Sequence, residues 1–321
     1  MNTELKLGKE IKDHFPEAVG QDDAKKNLGL LLEDSRKQGF LPPLAFIAPK
    51  GCGKTFMAEL LCKLLNKPYI PINCSTIKNL SRFWNDLIIP HVANKEVTLF
   101  FDEASEIPKD VQMALLTILD VKGDKLVNSF SHEDYTVDFD LRKVSFIFAT
   151  TEGQSIFHAL MDRLDRIELE VPSPSDLQKI MAKNCKKQGV TFAKDVLKDI
   201  SLVLRGNART AANMCRKINN RSHGKKKKVF TRKDWDYLKG CLGILPFGVS
   251  KIEYSLLSIL YERKSCSLKE LQAVTGLSKE CLMRDIELYL QKLNLMKIDE
   301  KGRALTQKGV QYVKKHGQNN K

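Results

Sequence analysis

A glycine-rich turn that ends in lysine and threonine is the segment of this sequence best suited to chemistry. It runs Ala48-Pro-Lys-Gly-Cys-Gly-Lys-Thr55, between a short apolar run and a helical pattern. In that setting backbone N–H groups close around phosphates, and the helix N-terminus adds partial positive charge. We predict an ATP site in which Lys54 reaches the β- and γ-phosphates and the Thr55 hydroxyl ligates Mg²⁺. The residues predicted to bind the phosphates are Pro49, Lys50, Gly51, Cys52, Gly53, Lys54 and Thr55.

Two adjacent carboxylates follow the apolar run 97–101. A buried strand that ends in acidic residues would hold Asp102 beside the metal ion and Glu103 where it can polarise a water. Asp102 alone would serve binding, whereas the additional Glu103 indicates hydrolysis. We therefore predict ATP and Mg²⁺ as the ligands of a hydrolase.

Phosphoryl transfer also needs donors and cations near the developing negative charge. The apolar run 144–150 ends in Thr150, whose hydroxyl would lie beside the γ-phosphate. Arg163 and Arg166 follow at the end of the same region, and Arg209 opens a later helical pattern. An isolated arginine more often forms a surface ion pair, so these candidates depend on their order along the chain.

Strand-like runs alternate with helical patterns in the first half of the chain. The predicted strands are 44–48, 69–73, 97–101, 144–150 and 167–171, and the main predicted helices are 25–40, 55–65 and 111–119. This alternation predicts an α/β fold with a parallel sheet covered by helices on both faces. Residues 175–240 are predicted to be helical only, beginning with a capping box between Ser175 and Gln178.

The net charge differs between three segments of the chain, and the segments change where the predicted pattern of strands and helices changes. Residues 1–172 carry 21 Lys and Arg against 26 Asp and Glu, a net charge of −5. Residues 173–245 carry 18 against 5, which is +13, and residues 246–321 carry 14 against 8, which is +6. We predict an ATPase domain, a helical lid and a winged-helix domain with these bounds. The segregation favours a nucleic-acid partner, because counterion release dominates such binding; a solvated basic surface is the alternative.

A helix-turn-helix pattern lies in the third segment. Residues 267–274 and 278–293 are predicted as the two helices, and residues 296–299 and 304–306 as strands of a wing. The predicted DNA contacts are Lys279 and Arg284 on the second helix and Lys301 and Arg303 at the wing, from which Arg303 should project. Acidic residues on the second helix favour contact with the DNA backbone over base recognition. Binding of a protein is the alternative role for such a domain.

Membrane and secretion signals are not apparent in the sequence. No apolar run approaches eighteen residues, and the first fifteen residues lack the apolar centre of a signal peptide. The eight cysteines form no CxxC pair. We therefore expect a cytoplasmic protein with reduced thiols and no membrane contact.

The order of these motifs resembles that of the AAA+ family and, within it, the RuvB family of Holliday-junction branch-migration motors. The resemblance implies that the segment around Val19 surrounds the adenine and that Thr150 is the first sensor. It also implies that Arg163 is an arginine finger inserted into the neighbouring subunit's site, and that Arg209 touches the γ-phosphate within its own subunit. A finger supplied by a neighbour implies assembly, and the family forms homo-hexamers.

A further family-like feature is the stretch 125–141, whose apolar residues alternate as in a hairpin. In the RuvB family such a hairpin grips the junction-binding partner RuvA through an apolar tip. The tip here, residues 131–134, is polar and acidic. The resemblance implies a RuvA-like partner at this hairpin, and an ordinary surface hairpin is the alternative.

Together, the motifs and the resemblance predict an ATP-dependent DNA translocase or helicase. It would act as a hexamer on duplex or four-way junction DNA in recombination and repair. An AAA+ loader that deposits a clamp or helicase on DNA is the alternative. A third hypothesis is a nucleotide-gated regulatory protein with negligible hydrolysis, against which Glu103 and Arg163 argue.

Overall fold

The computed structural model describes residues 14–121, 125–224 and 228–316. The chain divides into two compact units. The first comprises Met1–Asn184 and Gly206–Lys217, and the second comprises Cys185–Arg205 and Ile218–Lys321. The division into three domains at residues 172/173 and 245/246 stays a prediction.

A five-stranded parallel sheet forms the centre of the first unit. The strands of this unit are β1 (Leu44–Ile47), β2 (Tyr69–Asn73), β3 (Val97–Asp102), β4 (Val127–His132), β5 (Tyr135–Asp140), β6 (Val144–Thr150) and β7 (Asp165–Glu168). The order in the sheet is β2-β3-β6-β1-β7, and all four pairs are parallel. Strand β6 is buried at every position, as expected for a strand covered on both faces. The predicted α/β fold is confirmed.

Helices pack on both faces of this sheet. They are α1 (Asp22–Gln38), α2 (Lys54–Leu65), α3 (Leu80–Phe83), α4 (Ile89–His91), α5 (Lys109–Ile118) and α6 (His158–Met161), and α7 (Pro174–Lys186) follows the last strand in the chain. Because neighbouring side chains of a strand point to opposite faces, Phe100 and Phe101 belong to different apolar clusters. Phe100 shares its cluster with Leu61 of α2, and Phe101 shares its cluster with Leu115 of α5. Each face therefore has its own core.

The hairpin predicted at 125–141 is present in the first unit. Strands β4 and β5 pair antiparallel from Val127↔Asp140 to His132↔Tyr135. The strands extend further than expected, so the tip consists of Glu133 and Asp134.

Two local predictions are wrong. The last strand of the sheet begins at Asp165 and not at residue 167, because its pairing with β1 starts at the Leu44↔Asp165 register. The capping box of α7 is formed by Ser173 and Asp176 in place of Ser175 and Gln178. The Ser173 N–H donates to Asp176 Oδ2 at 3.2 Å, and the Asp176 N–H donates to Ser173 Oγ at 3.1 Å. Pro174 then occupies the first helical position, where the missing N–H costs nothing.

The second unit contains helices from two parts of the chain. They are α8 (Val196–Val203), α9 (Ala208–Gly224, which begins in the first unit), α10 (Arg232–Cys241), α11 (Lys251–Arg263), α12 (Leu268–Thr275), α13 (Leu288–Lys292) and α14 (Gln307–His316). Short strands β8 (Thr191–Phe192) and β9 (Val229–Phe230) pair in parallel. The prediction that residues 175–240 are helical only is therefore wrong at this pair, whose four residues are too few to show a strand periodicity.

The winged helix is confirmed within the second unit. Ser267 caps α12, and Gly276 ends it in a left-handed conformation. A π-helical segment, Cys281–Glu287, leads into α13. Strands β10 (Ser265–Cys266), β11 (Met296–Asp299) and β12 (Gly302–Leu305) form an antiparallel sheet in the order β10-β12-β11.

Among the described residues, no single helix has both the length and the apolar character needed to cross a membrane. Within the described ranges one pair of segments, Arg232–Gly248 and Lys251–Arg263, bent by 48° relative to each other, meets both criteria when the two are taken together.

Candidate active site

The phosphate loop connects β1 to α2. Gly51 and Gly53 have φ values of 83° and 100°, which favour glycine. A Cβ added at Gly51 would overlap the side chain of Asn207. Gly53 caps α2 without any side-chain hydrogen bond, so the first N–H groups of the helix can bind an anion. The loop thus has the backbone shape that the sequence predicted.

A cavity of about 420 Å³ opens over this loop, which is within the usual size range of small-molecule sites. It brings together most of the predicted site residues, namely Val19, Lys50, Gly51, Cys52, Gly53, Lys54, Thr55, Asp102, Glu103, Thr150 and Arg209. Pro49 is exposed and does not line the cavity, so its predicted contact with a phosphate stays a prediction. Its preset φ serves the turn, and it has no N–H to offer a phosphate.

Lys54 lies over the phosphate loop. Its Nζ donates to the carbonyl of Ala48 at 2.7 Å and to that of Pro49 at 3.3 Å. Burial lowers the pKa of Lys54, and the nearby charges of Arg209 and Lys50 act in the same direction. A phosphate at this position would supply both acceptors and a compensating negative charge.

The acidic pair lies at the end of β3, beside the end of β6. Glu103 takes a left-handed conformation (φ 55°, ψ 49°), and its N–H donates to Asp102 Oδ1 at 3.1 Å. In the sheet, Asp102 pairs with Ala149, so Thr150 follows at the same edge. Thr150 is fully buried, and its Oγ1 accepts from the Glu152 N–H at 3.0 Å. A hydroxyl that accepts this bond still has its own hydrogen to donate into the cavity.

The N-terminal segment also lines the cavity, through Glu17, Ala18, Val19 and Gln21. The Gln21 side chain exchanges two hydrogen bonds with the backbone of Glu170, at 2.7 and 2.8 Å. Lys183 of α7 donates to the carbonyl of Glu17 at 3.1 Å. These bonds hold Val19 and Ile180 at the cavity wall. The sequence carried no signal for Ile180 or Lys183, because their helical spacing shows only that α7 is amphipathic.

Arg209 enters the cavity from the start of α9. Asn207 caps this helix, since its Oδ1 accepts from the Thr210 N–H at 2.9 Å. The Ala208 N–H donates to the carbonyl of Gly51 at 2.9 Å. The helix start is therefore bonded directly to the phosphate loop, within the first unit.

Arg163 does not line the cavity of its own chain. Its Nη1 donates to the carbonyl of Ala159 at 2.9 Å, and its Nη2 lies 3.6 Å from Asp120 Oδ1. One third of the side chain is exposed. Arg166 pairs instead with Asp162 at 3.3 Å. The role of Arg163 at a neighbouring subunit stays a prediction.

Three of the four predicted DNA contacts are exposed. Lys279 and Arg284 lie on the second helix of the helix-turn-helix, and Lys301 lies at the turn of the wing. Arg303 behaves differently, since its Nε and Nη2 pair with the two carboxylate oxygens of Glu287 at 2.9 and 3.3 Å. The side chains of Arg303 and Glu287 are only 14% and 2% exposed. The prediction that Arg303 projects from the wing is therefore wrong, because a buried carboxylate requires a cation beside it.

We expect Arg303→Ala to lower the free energy of unfolding by about 3 kcal/mol, because it leaves Glu287 buried without its partner. Urea denaturation measures this change. Lys301→Ala is the matched control, since Lys301 is exposed and should change stability by less than about 0.5 kcal/mol. Equal urea midpoints for Arg303→Ala and wild type would contradict the assignment of this pair.

Two family models match the chain, one over the segment with the ATP-site motifs and one over the segment with the helix-turn-helix. Residues 44–173 match the AAA model, described as the ATPase family associated with various cellular activities. Residues 246–314 match the RuvB C-terminal winged helix domain. The chain contains an AAA ATPase domain followed by a RuvB C-terminal winged helix domain. Nucleotide binding follows from this membership.

The ATPase is also similar along most of its length to proteins named Holliday junction branch migration complex subunit RuvB. The one from Mycoplasmopsis pulmonis is 26% identical over 312 residues, which cover 94% of this chain and 96% of that protein. The one from Sulfurimonas denitrificans is 26% identical over 297 residues, which cover 90% and 86%. The solved structure of the Thermotoga maritima RuvB Holliday junction branch migration motor has a TM-score of 0.73 at 20% identity and covers 92% and 95%. That likeness concerns the fold.

Proposed function

We propose that this AAA ATPase is an ATP-driven motor that moves the branch point of Holliday junctions, working as a homo-hexamer. The observation that carries the proposal is that one cavity contains the phosphate loop, the acidic pair and Arg209, in a chain similar to RuvB proteins over 94% of its length. A cavity with Lys54 alone would support nucleotide binding. The adjacent Glu103 supports turnover, which a motor requires.

Different residues of the cavity would bind different parts of ATP. The N–H groups at the start of α2 and Lys54 would hold the β- and γ-phosphates. Arg209 would contact the γ-phosphate from the same subunit. Val19 and Ile180 provide the apolar wall on which adenine would pack.

Mg²⁺ is part of the proposal because the donor types fit it. A hydroxyl oxygen from Thr55 and a carboxylate oxygen from Asp102 line the same cavity, and hard oxygen donors are those that Mg²⁺ prefers. The bound ion would neutralise phosphate charge. The hydroxyl of Thr55 and the carboxylate of Asp102 would hold it.

In hydrolysis, Glu103 would accept a proton from the water that attacks the γ-phosphate. The Thr150 hydroxyl would orient that water or the phosphate from the end of β6. Arg163 of a neighbouring subunit would stabilise the transferring phosphoryl group, an effect worth about a thousandfold or more in rate. Completing the site with a residue of the next copy would link turnover to the assembled ring.

The second unit would contact DNA through phosphates. Lys279, Arg284 and Lys301 are exposed cations of the winged helix and suit contacts that do not depend on sequence. A RuvA-like partner is proposed at the hairpin β4–β5. Because Glu133 and Asp134 form its tip, the partner surface would have to be basic and not apolar.

The test is branch migration of a four-way junction with homologous arms. We expect wild type to convert the junction only with ATP and Mg²⁺, whereas Glu103→Gln should bind ATP but convert none. Glu106→Gln is the matched control, because Glu106 lies in the turn after Glu103 but does not line the cavity. ATP turnover that requires a second protein and moves no junction would favour the loader.

A further inference from the structure

Two consecutive residues at the border between the units have left-handed backbones. Arg205 has a φ of 58° and Gly206 a φ of 68°, and the border falls between them. This conformation is unfavourable for a residue with a Cβ, so its surroundings must impose it on Arg205. The chain also passes between the units within α7 and within α9, where a continuous helix runs across the border. The passage at 205/206 is a short non-helical turn, and the residues on its two sides, Arg205 and Asn207, are bonded to different units.

The Arg205 side chain is held by residues of the second unit. Its guanidinium forms two parallel bonds to Glu253, Nη1 to Oε1 at 2.8 Å and Nη2 to Oε2 at 2.6 Å. Nη2 also donates to the carbonyl of Gly248, and Cζ lies 3.8 Å from the centre of the Tyr289 ring. Glu253 is only 4% exposed and accepts a further bond from the Ser250 N–H at 2.7 Å. Arg205 is thus fixed to the starts of α11 and α13.

The turn that Arg205 contacts is itself tightly packed. A Cβ at Gly248 would lie 2.6 Å from the carbonyl oxygen of Val203, which ends α8. Phe247 is left-handed, with a φ of 60°, and its carbonyl accepts from the Tyr289 hydroxyl. Because these residues are closely packed, a displacement of Arg205 would also displace residues of the winged helix.

The next residues of the chain are held by the phosphate loop of the first unit. Asn207 donates to the carbonyl of Lys50 at 3.3 Å, and the Ala208 N–H donates to that of Gly51 at 2.9 Å. The Asn207 side chain occupies the space that a Cβ at Gly51 would need. A movement of Lys50 or Gly51 on phosphate binding would therefore act directly on Asn207 and Ala208.

We propose that Arg205 is the positioning residue that transmits nucleotide occupancy of the phosphate loop to the winged helix. The path runs from Gly51 through Asn207 and the strained pair Arg205–Gly206 to Glu253 and Tyr289. It deepens the proposed motor function, on which it rests, by naming the connection between the ATP site and the domain that would hold DNA. Arg205 does not line the nucleotide cavity, so it would act through the residues that it positions.

The test compares Arg205→Lys with a matched control in the same unit. Lysine keeps the charge of Arg205 but loses the paired bonds to Glu253 and the flat contact with Tyr289. Arg303→Lys makes the same change in a second buried pair, Arg303–Glu287, which is not among the contacts of Arg205. Glu253→Gln weakens the same Arg205–Glu253 pair by removing the negative charge. It is the test variant if Arg205→Lys does not fold.

Hydrogen exchange with and without ATPγS measures the transmission without DNA. In wild type and Arg303→Lys, nucleotide should change the exchange of amides in α11 and α13 by about threefold or more. In Arg205→Lys and Glu253→Gln this response should be lost, while α2 and the phosphate loop are still protected. An unchanged response of α11 and α13 in Arg205→Lys, or no response in wild type, would overturn the proposal.

On four-way junctions, the branch-migration steps per ATP hydrolysed should fall about fivefold or more in Arg205→Lys, with ATP hydrolysis largely retained. The two proposals fail in different ways. If the wild-type protein moves no junction, the proposed motor function is refuted. If Arg205→Lys makes as many branch-migration steps per ATP hydrolysed as the wild-type protein, transmission through Arg205 is refuted.

Discussion

Lys54→Ala is expected to lower the rate of ATP hydrolysis by about a hundredfold to a thousandfold. The Lys54 ammonium lies over the phosphate loop, held by the carbonyls of Ala48 and Pro49, and is the cation that would bind the β- and γ-phosphates. Steady-state phosphate release measures the loss. The affinity for ATP should fall as well, because Lys54 contacts the bound phosphates before and during the reaction.

The control for this change is Lys63→Ala. Lys63 lies near the end of the same helix α2 and is exposed, so the variant tests loss of a lysine from α2 without loss of the phosphate contact. It should hydrolyse ATP at the wild-type rate. If Lys54→Ala hydrolysed ATP within threefold of wild type, the cavity above the loop would not be the site of hydrolysis.

Arg163→Ala is expected to lower the rate of ATP hydrolysis by about a thousandfold, the smaller end of the range for an arginine finger. ATP binding should be retained, because Arg163 does not line the cavity of its own chain. Mixing this variant with Lys54→Ala should restore activity. In a randomly mixed ring, about a quarter of the interfaces combine an intact loop with an intact arginine from the neighbour.

Arg166→Ala is the matched control for Arg163→Ala. Arg166 follows three residues later, pairs with Asp162 and lies outside the nucleotide cavity, so its loss should leave hydrolysis unchanged. A lack of rescue at every mixing ratio would count against a shared site. Wild-type activity in Arg163→Ala alone would remove this residue from the reaction.

Much of the ATP site was predictable because it depends on short stretches of chain. The phosphate loop needs two glycines with positive φ and a helix that begins directly after them, and both are local properties of residues 48–55. The acidic pair was predictable for the same reason, because Asp102 and Glu103 directly follow an apolar strand in the sequence. Because parallel strands place their carboxyl ends at one edge, Asp102 and Thr150 could be expected near the loop before the sheet was known.

Only the tertiary structure decided which long side chains face these motifs. Arg303 follows a wing glycine in the sequence, yet its guanidinium turns inward to Glu287. Arg205 was one cation in a basic segment until its contacts with Glu253 and Tyr289 appeared. Spacing along the chain fixes which face of a helix or strand a residue occupies. Which distant group lies opposite that face, and so whether a charge is solvated or paired, depends on packing between segments far apart in sequence.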